Sequence, residues 1–306
     1  MIQLLKAGVG ARGFMWPSNY QKTAALMLVL LLSGCESLTS MLFYPQTQYL
    51  QTPQRYALAW QSVELKARDG TRLSNWYLPA VGETKARVLF LHGNGENIST
   101  HLNAVAWLPA EGYAVFLLDY RGYGQSDGEP LLPAVFQDIH AAHEWLLSQN
   151  EDSPVVLMGQ SIGGALGLSY AGSYRRELPQ FDALVIESAP ASLPQVAREA
   201  MAKHWLTWLL QVPAQLLLPN AYDAELNVKS LANEPIMLLH GTQDSIVSID
   251  HLQQLQDKLP KAKVLRYPDG HIRGFASQSV REAVTDFLTP EGWSTVLRAP
   301  PHSLAR

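Results

Sequence analysis

The amino-acid sequence predicts an α/β fold with a mostly parallel central sheet and helices on both of its faces. Three observations support this prediction. Short, uninterrupted apolar segments alternate with helical segments from about residue 87 onward, which is typical of parallel strands buried on both faces. The strand-like run at 155–158 leads directly into Gly-x-Ser-x-Gly and then into a helical segment. A chain of 306 residues with 47% hydrophobic residues is long and apolar enough for one large core.

The predicted elements follow one another along a single domain at 61–290. Residues 63–67 alternate apolar with polar side chains, Asp69-Gly70 supplies a hairpin turn, and residues 73–78 return as a second strand. Buried strands are predicted at 88–91, 113–118, 155–158, 184–186, 236–239 and near 264–267. Helices are predicted near 102–111, 134–147, 162–170, 250–259 and 277–288. A tether and lead-in at 35–60 precede the domain, and a carboxy-terminal tail at 291–306 follows it.

An insertion at about 189–233 separates the strand at 184–186 from the strand at 236–239. Its stretches 205–210 and 216–218 are conspicuously apolar. We interpret the insertion as a small helical cap that holds an apolar acyl group over the active site. The alternative interpretation is an ordinary covering helix packed on the sheet.

The first 34 residues have the organisation of a secretory signal peptide. They contain three basic residues and no acidic one, then the apolar run 24–32, then Ser33-Gly34-Cys35. The apolar run is too short to span a bilayer, which needs roughly 20 residues. Leu32-Ser33-Gly34-Cys35 also resembles the lipobox of bacterial lipoproteins, in which the cysteine is acylated. Cys35 is the only cysteine and has no disulfide partner; a buried thiol at the end of a core helix is the alternative. Translation could start at Met1 or at Met15.

Cleavage before Cys35 would leave 272 residues, because 34 of the 306 are removed. Three of the 23 basic residues and none of the 27 acidic residues leave with them, so the net charge falls to about −7. Such a chain repels nucleic acid and anionic headgroups, and acyl chains on Cys35 would provide its attachment to a lipid bilayer. The resemblance to lipoproteins implies a bacterial cell-envelope location facing the periplasm. Glu36, rather than aspartate, follows the cysteine and favours the outer membrane.

Ser161 is the predicted nucleophile. A serine hydroxyl needs a base to take its proton and a third group to orient that base, and the chain order in this kind of fold is serine, acid, histidine. Asp244 and His271 each stand just past the end of a predicted strand, where parallel sheets place their sites. We therefore assign His271 as general base and acid and Asp244 as the orienting carboxylate. Glu187 also follows a strand and is the alternative acid, although a buried carboxylate that supports the serine turn is the preferred interpretation of it.

The oxyanion of the tetrahedral intermediate needs hydrogen-bond donors. The backbone N–H of Ile162, directly after the nucleophile, is the first predicted donor. The second is the backbone N–H of Asn94, in the turn Leu91-His92-Gly93-Asn94-Gly95, where glycines allow close approach of the backbone. His92 is of a residue type that binds metals, but no other histidine or carboxylate stands at ligand spacing from it. The preferred interpretation is a buried imidazole that braces the loop. No metal and no cofactor is expected.

Four motifs in order carry a family resemblance: His92-Gly93-Asn94-Gly95, the segment 119–124, the segment 159–164, and the segment 240–244. Together they resemble the α/β-hydrolase superfamily, and most of all its BEM46-like group, over roughly residues 63–288. The resemblance implies the α/β-hydrolase fold, and it implies that Asp119 and Arg121 belong to a structural turn. Ile272, after His271, departs from the pattern, because relatives often carry a polar residue there.

These residues together predict a serine hydrolase that cleaves a small or medium carboxylic ester through an acyl-enzyme. Acyl lipids or acylated proteins are alternative substrates of the same three residues. A serine peptidase or amidase would also use them, since the fold does not decide the substrate. A non-catalytic scaffold is the alternative from a different functional class. No nucleic-acid partner is expected, and the sequence leaves the oligomeric state open.

Overall fold

The computed structural model describes residues 39–149, 152–176, 178–203 and 207–298. The predicted signal peptide and Cys35 lie outside these residues, as does the second half of the segment expected as a tail, at 299–306. No helix in the described ranges is long and apolar enough to span a bilayer.

One sheet of eight strands forms the centre of the molecule, in the order β1-β2-β4-β3-β5-β6-β7-β8. Its strands are β1 (Gln61–Lys66), β2 (Arg72–Leu78), β3 (Ala86–Leu91), β4 (Tyr113–Leu118), β5 (Val155–Gln160), β6 (Ala183–Glu187), β7 (Ile236–Gly241) and β8 (Lys263–Tyr267). The predicted hairpin of β1 and β2 is antiparallel, and β2 also pairs antiparallel with β4. The other pairs are parallel. This arrangement confirms the predicted fold class.

The helices cover both faces of this sheet. They are α1 (Ile98–Val105), α2 (Val135–Leu147), α3 (Ile162–Ser169), α4 (Leu193–Ala202), α5 (Gln211–Leu217), α6 (Ala224–Asn227), α7 (Ile249–Lys258), α8 (Gln278–Phe287) and α9 (Pro290–Arg298). Helices α2, α3 and α7 bury their apolar side chains in one core cluster, and α1, α8 and α9 do so in the other. Strand β3 is buried on both faces, as continuous apolar strands of a covered parallel sheet should be.

The helix predicted near 102–111 is wrong in its bounds. Helix α1 begins earlier, because the Asn97 side chain accepts a hydrogen bond from the backbone N–H of Ser99 and so caps the first turn. It ends at Val105, and Pro109 explains this end, since a proline ring clashes with the carbonyl four residues before it. A separate 3₁₀ turn at Pro109–Glu111 covers the remainder of the predicted range.

Two segments outside the predicted strands and helices are ordered against the domain. Residues 290–298, mostly expected as tail, form α9, whose Val296 is buried. The described part of the lead-in lies along the domain surface, with Phe43 buried in the core. Asn97 donates two side-chain hydrogen bonds, both 2.9 Å, to the carbonyls of Gln46 and Gln48. This segment is therefore fixed on the turn that follows β3.

Candidate active site

Ser161 stands on a sharp turn between β5 and α3. Its backbone has φ 52° and ψ −124°, a left-handed conformation that a non-glycine residue adopts only when its surroundings impose it. Gly163 makes the turn possible, since a Cβ there would lie 2.3 Å and 2.4 Å from the carbonyl oxygens of Leu91 and His92. The backbone N–H of Ser161 donates to the carbonyl of Glu187 at 2.8 Å, which ties the turn to β6.

His271 and Asp244 lie in the loops after β8 and β7, and the structure brings both to Ser161. The His271 Nε2 atom is 2.9 Å from Ser161 Oγ, within reach of the hydroxyl proton. The other ring nitrogen, Nδ1, lies 2.7 Å from Asp244 Oδ2, so an N–H there donates to the carboxylate. Three side chains that are far apart in sequence thus form one continuous hydrogen-bonded chain.

The Asp244 carboxylate is buried and well supplied with donors. Its Oδ1 accepts the backbone N–H groups of Ile246 and Val247, both at 2.9 Å. Burial by itself would raise the pKa of Asp244, but the hydrogen bond and the charge of His271, with these two N–H groups, hold it below its ordinary value. The carboxylate is therefore ionised at neutral pH and can orient the imidazole.

Glu187, the alternative acid, is fully buried and faces other partners. Its carboxylate accepts hydrogen bonds from Gln160 Nε2 at 2.6 Å, from the Tyr267 hydroxyl at 2.7 Å and from the Gly274 N–H at 2.7 Å. Burial raises its pKa, against those three donors. Its donors thus come from the residue before the nucleophile, from the end of β8, and from the loop after His271. Glu187 therefore connects the serine turn with the end of β8 and with the loop after His271. This agrees with its interpretation as a buried carboxylate that supports the serine turn.

The two predicted oxyanion donors, Asn94 and Ile162, line the same cavity as Ser161. Ile162 opens α3, and the first N–H groups of a helix have no acceptor within the helix. The backbone N–H of Asn94 donates to no acceptor among the described residues. Both residues therefore border the space beside Ser161, and their N–H groups remain the predicted oxyanion donors.

The Asn94 side chain has a role that sequence reasoning missed. Its Nδ2 donates to the Leu42 carbonyl at 2.6 Å, while its Oδ1 accepts the Tyr44 N–H at 2.9 Å and the Tyr123 hydroxyl at 3.0 Å. Asn94 therefore fastens the lead-in segment to the oxyanion turn. No local signal could reveal these bonds, because their partners lie 29 to 52 residues away in the chain.

His92 and Arg121 are held in the core near the site. The His92 ring packs on Tyr120, with ring centres 4.6 Å apart, and burial together with a neighbouring histidine lowers its pKa to about 3. Arg121 binds the buried carboxylate of Asp138 through two nitrogens. No set of three metal-ligating side chains comes together within the described part of the chain.

A mostly apolar cavity of about 380 Å³ opens beside Ser161. Helix α4 contributes one face of it, with five apolar side chains. They are Leu193, Val196, Ala197, Ala200 and Met201. Leu217 and Leu218, at the end of α5, line it as well. The insertion thus borders the cavity rather than only covering the sheet.

A second groove of about 600 Å³ is lined by Gln160 and Ile272 but not by Ser161, so the apolar cavity is the one that the nucleophile faces.

Comparison with known proteins agrees with this architecture. Residues 82–234 match a family described as serine aminopeptidase, S33. The uncharacterized protein YfhR of Escherichia coli is 30% identical over 290 residues, which cover 89% of this chain and 96% of that protein. The α/β hydrolase domain-containing protein WAV2 of Arabidopsis thaliana is 28% identical over 72% of this chain and 75% of its own. The structure of the esterase Pf2001 of Pyrococcus furiosus has a TM-score of 0.64 at 21% identity, over 81% of this chain and 99% of that one.

Proposed function

This chain belongs to the serine aminopeptidase S33 family of α/β hydrolases, and on that premise we propose that it hydrolyses carboxylic esters through an acyl-enzyme on Ser161. Within the superfamily, we also propose a BEM46-like relationship, which the four motifs at 92–95, 119–124, 159–164 and 240–244 support. One observation carries the proposal: the continuous chain from Ser161 Oγ through His271 to Asp244, with separations of 2.9 Å and 2.7 Å. This is the arrangement that turns a weak hydroxyl nucleophile into a reactive one.

In the first half-reaction, His271 Nε2 takes the Ser161 proton while Oγ attacks the carbonyl carbon of the ester. The carbonyl oxygen becomes an oxyanion, which the N–H groups of Asn94 and Ile162 stabilise by roughly 3 kcal/mol each. The C–O bond to the alcohol then breaks, and His271 returns its proton to the leaving oxygen. Asp244 keeps the imidazole in the required tautomer and stabilises the imidazolium. The alcohol departs, and the acyl group stays on Ser161.

In the second half-reaction, water takes the place of the alcohol. His271 accepts a proton from the water as its oxygen attacks the acyl carbon, and the same two N–H groups stabilise the second oxyanion. Collapse of this intermediate breaks the bond to Ser161 Oγ, which regains its proton from His271 and releases the carboxylic acid. No group beyond these residues is needed for the proton balance.

The cavity lining favours an ester with an apolar acyl group. Apolar side chains dominate it, and none of its described lining residues is acidic. An aminopeptidase needs a carboxylate near the nucleophile to bind the free amino group of its substrate. The family description makes a peptidase or amidase the second candidate, but the described lining offers that amino group no carboxylate. Comparing p-nitrophenyl esters with aminoacyl anilides separates the two, and faster anilide cleavage would reverse the assignment.

A fluorophosphonate probe tests the proposed nucleophile directly. We expect covalent labelling of the protein and loss of that labelling in Ser161→Ala. Ser245→Ala is the matched control, because Ser245 is an exposed serine beside Asp244 and its loss should leave labelling intact. A folded protein that resists the probe would favour the non-catalytic scaffold.

The proposal includes a lipid anchor at the amino terminus. Cleavage before Cys35 and acylation of its thiol would hold the enzyme on a bacterial envelope membrane, with Glu36 favouring the outer membrane. The basic residues, the nine-residue apolar run and the lipobox-like Leu32-Ser33-Gly34-Cys35 support it. Mass spectrometry of the amino-terminal peptide tests it: an acylated peptide beginning at Cys35 is expected, and an unmodified peptide that retains residues 1–34 would contradict it.

A further inference from the structure

The mouth of the cavity beside Ser161 is bordered by exposed apolar side chains. Tyr44, Leu217 and Ile246 line the cavity, yet they are 67%, 53% and 55% exposed. They come from three separate segments: the lead-in, the end of α5 and the loop after β7. Side chains that are both lining and exposed stand at an opening, so an apolar rim surrounds the entrance.

Helix α5 continues this apolar surface outward from the rim. It packs against α4 on one side. Val212 and Leu216, four residues apart and hence on the same helical face, are 62% and 79% exposed. Leu209, just before the helix, is 77% exposed. An exposed apolar helix face of this kind is typical of a site of contact with a protein or a membrane.

The amino-terminal end of the described chain lies beside the same entrance. Leu42 and Tyr44 line the cavity, and Asn94 fastens both of their backbones to the oxyanion turn. Cys35 precedes Thr39, the first described residue, by four residues, which span at most about 14 Å. The proposed lipid anchor at Cys35 would therefore join the domain next to the cavity mouth.

We propose that the rim and the exposed face of α5, namely Tyr44, Leu217, Ile246, Val212 and Leu216, dock on a lipid bilayer, so that the ester enters the cavity directly from the membrane. The substrate class is then a membrane-resident ester with an apolar acyl chain. This inference rests on the proposed ester hydrolysis. A bilayer fits better than a protein partner because the acyl chains proposed on Cys35 would enter a membrane beside this rim. Because the domain has a negative net charge, anionic headgroups would repel it. The contact is therefore made by insertion of apolar side chains and not by electrostatic attraction.

Site-specific fluorescence tests the orientation. The full chain is bound to phosphatidylcholine vesicles, with an environment-sensitive fluorophore on Leu216→Cys or on Ser148→Cys. Ser148 is exposed and follows α2, which ends shortly before β5 begins and so places it at the opposite edge of the sheet. The unsubstituted chain, labelled in the same way, gives the fluorescence that arises from Cys35. This signal is subtracted from that of each variant.

We expect the emission from position 216 to shift to the blue on vesicles and to be quenched by a lipid-attached quencher, while position 148 does neither. Equal, water-like spectra at both positions would overturn the inference. A blue shift that appears without vesicles and grows with protein concentration would also overturn it, and would assign the surface to a second copy of the chain.

Paired substrates give the functional test. In the Val212→Ser, Leu216→Ser double variant, hydrolysis of p-nitrophenyl palmitate in phosphatidylcholine vesicles should fall at least tenfold, because two inserted apolar side chains are lost. Hydrolysis of soluble p-nitrophenyl acetate should not change. An equal fall with both esters, or no fall with either, would overturn the inference. If the unsubstituted chain cleaves neither ester while position 216 inserts, the proposed function fails and the docking stands.

Discussion

At the scale of single residues, the three reacting side chains meet because each follows the carboxyl end of a parallel strand. Ser161 follows β5, Asp244 follows β7 and His271 follows β8. Because parallel strands end at one edge of the sheet, residues 83 and 110 positions beyond the serine return to it. This is why their positions could be predicted from strand ends and motif order alone. The Asn94 side-chain bonds could not, since they depend on how the lead-in folds back.

The two acidic residues near the site are expected to behave differently. Asp244→Asn should lower ester turnover roughly 10³–10⁴-fold, because an amide cannot hold the imidazole in the same tautomer and charge balance. Glu187→Gln should keep turnover within about tenfold and lower the melting temperature instead, since it disturbs a buried hydrogen-bond junction. Steady-state kinetics with a soluble ester and thermal unfolding measure the two effects. A larger turnover loss in Glu187→Gln would assign it as the catalytic acid.

Asp119 should make stability depend on pH. Burial raises its pKa to about 7, although the N–H of Ile98 and the Tyr49 hydroxyl lower it. The folded protein therefore keeps a proton that the unfolded chain releases. The stabilisation that Asp119 contributes to the folded protein is fully present below about pH 4 and is lost as the pH rises through about 7. Asp119→Asn removes this titration, so the free energy of unfolding of the variant, relative to the parent, should rise from pH 4 to pH 8.

Chemical denaturation at a series of pH values measures this difference. His92, 3.5 Å from Asp119, is present in both proteins and its low pKa keeps it neutral over this range, so it cancels in the comparison. A difference that stays flat, or that falls with pH, would mean that Asp119 is ionised in the folded protein throughout.

At the scale of elements, the strand–turn–helix around Ser161 depends on the absence of side chains. Gly163→Ala should lower the free energy of unfolding by about 3 kcal/mol or more, because its Cβ would meet two backbone carbonyls that cannot move aside. Gly270→Ala is the matched control: it adjoins His271, its Cβ would meet nothing closer than 3.9 Å, and its loss should be small. Urea unfolding of both variants makes the comparison, and equal losses would contradict it.

The strands could be predicted more reliably than the helix ends. A buried parallel strand is a continuous apolar run, and each such run lies inside an observed strand. The start of α1 depends on one capping side chain, Asn97, and its end on a proline four residues beyond Val105. Both are single-residue signals within a segment whose apolar periodicity continues past them. Helix α9 has only one buried side chain, Val296, so its sequence offers little periodicity to recognise.

At the scale of the whole molecule, the lead-in is part of the folded domain. A chain that begins at Thr39 should fold and react with a fluorophosphonate. A chain that begins at Gln51 should lose roughly 3–5 kcal/mol of stability, because it leaves Asn94 and Asn97 without their backbone partners and removes buried Phe43. Thermal unfolding and probe labelling compare the two. Equal stability would mean that the segment only rests on the surface.

The fixed lead-in also determines how far an acylated enzyme can travel. Residues 42 to 44 are fastened to the oxyanion turn, and only six residues separate Leu42 from Cys35, the proposed site of acylation. If Cys35 is acylated as proposed, the active site would stay close to the membrane surface. Such an enzyme would encounter esters that diffuse within the same leaflet, and its rate of hydrolysis would depend on their surface density rather than on their bulk concentration.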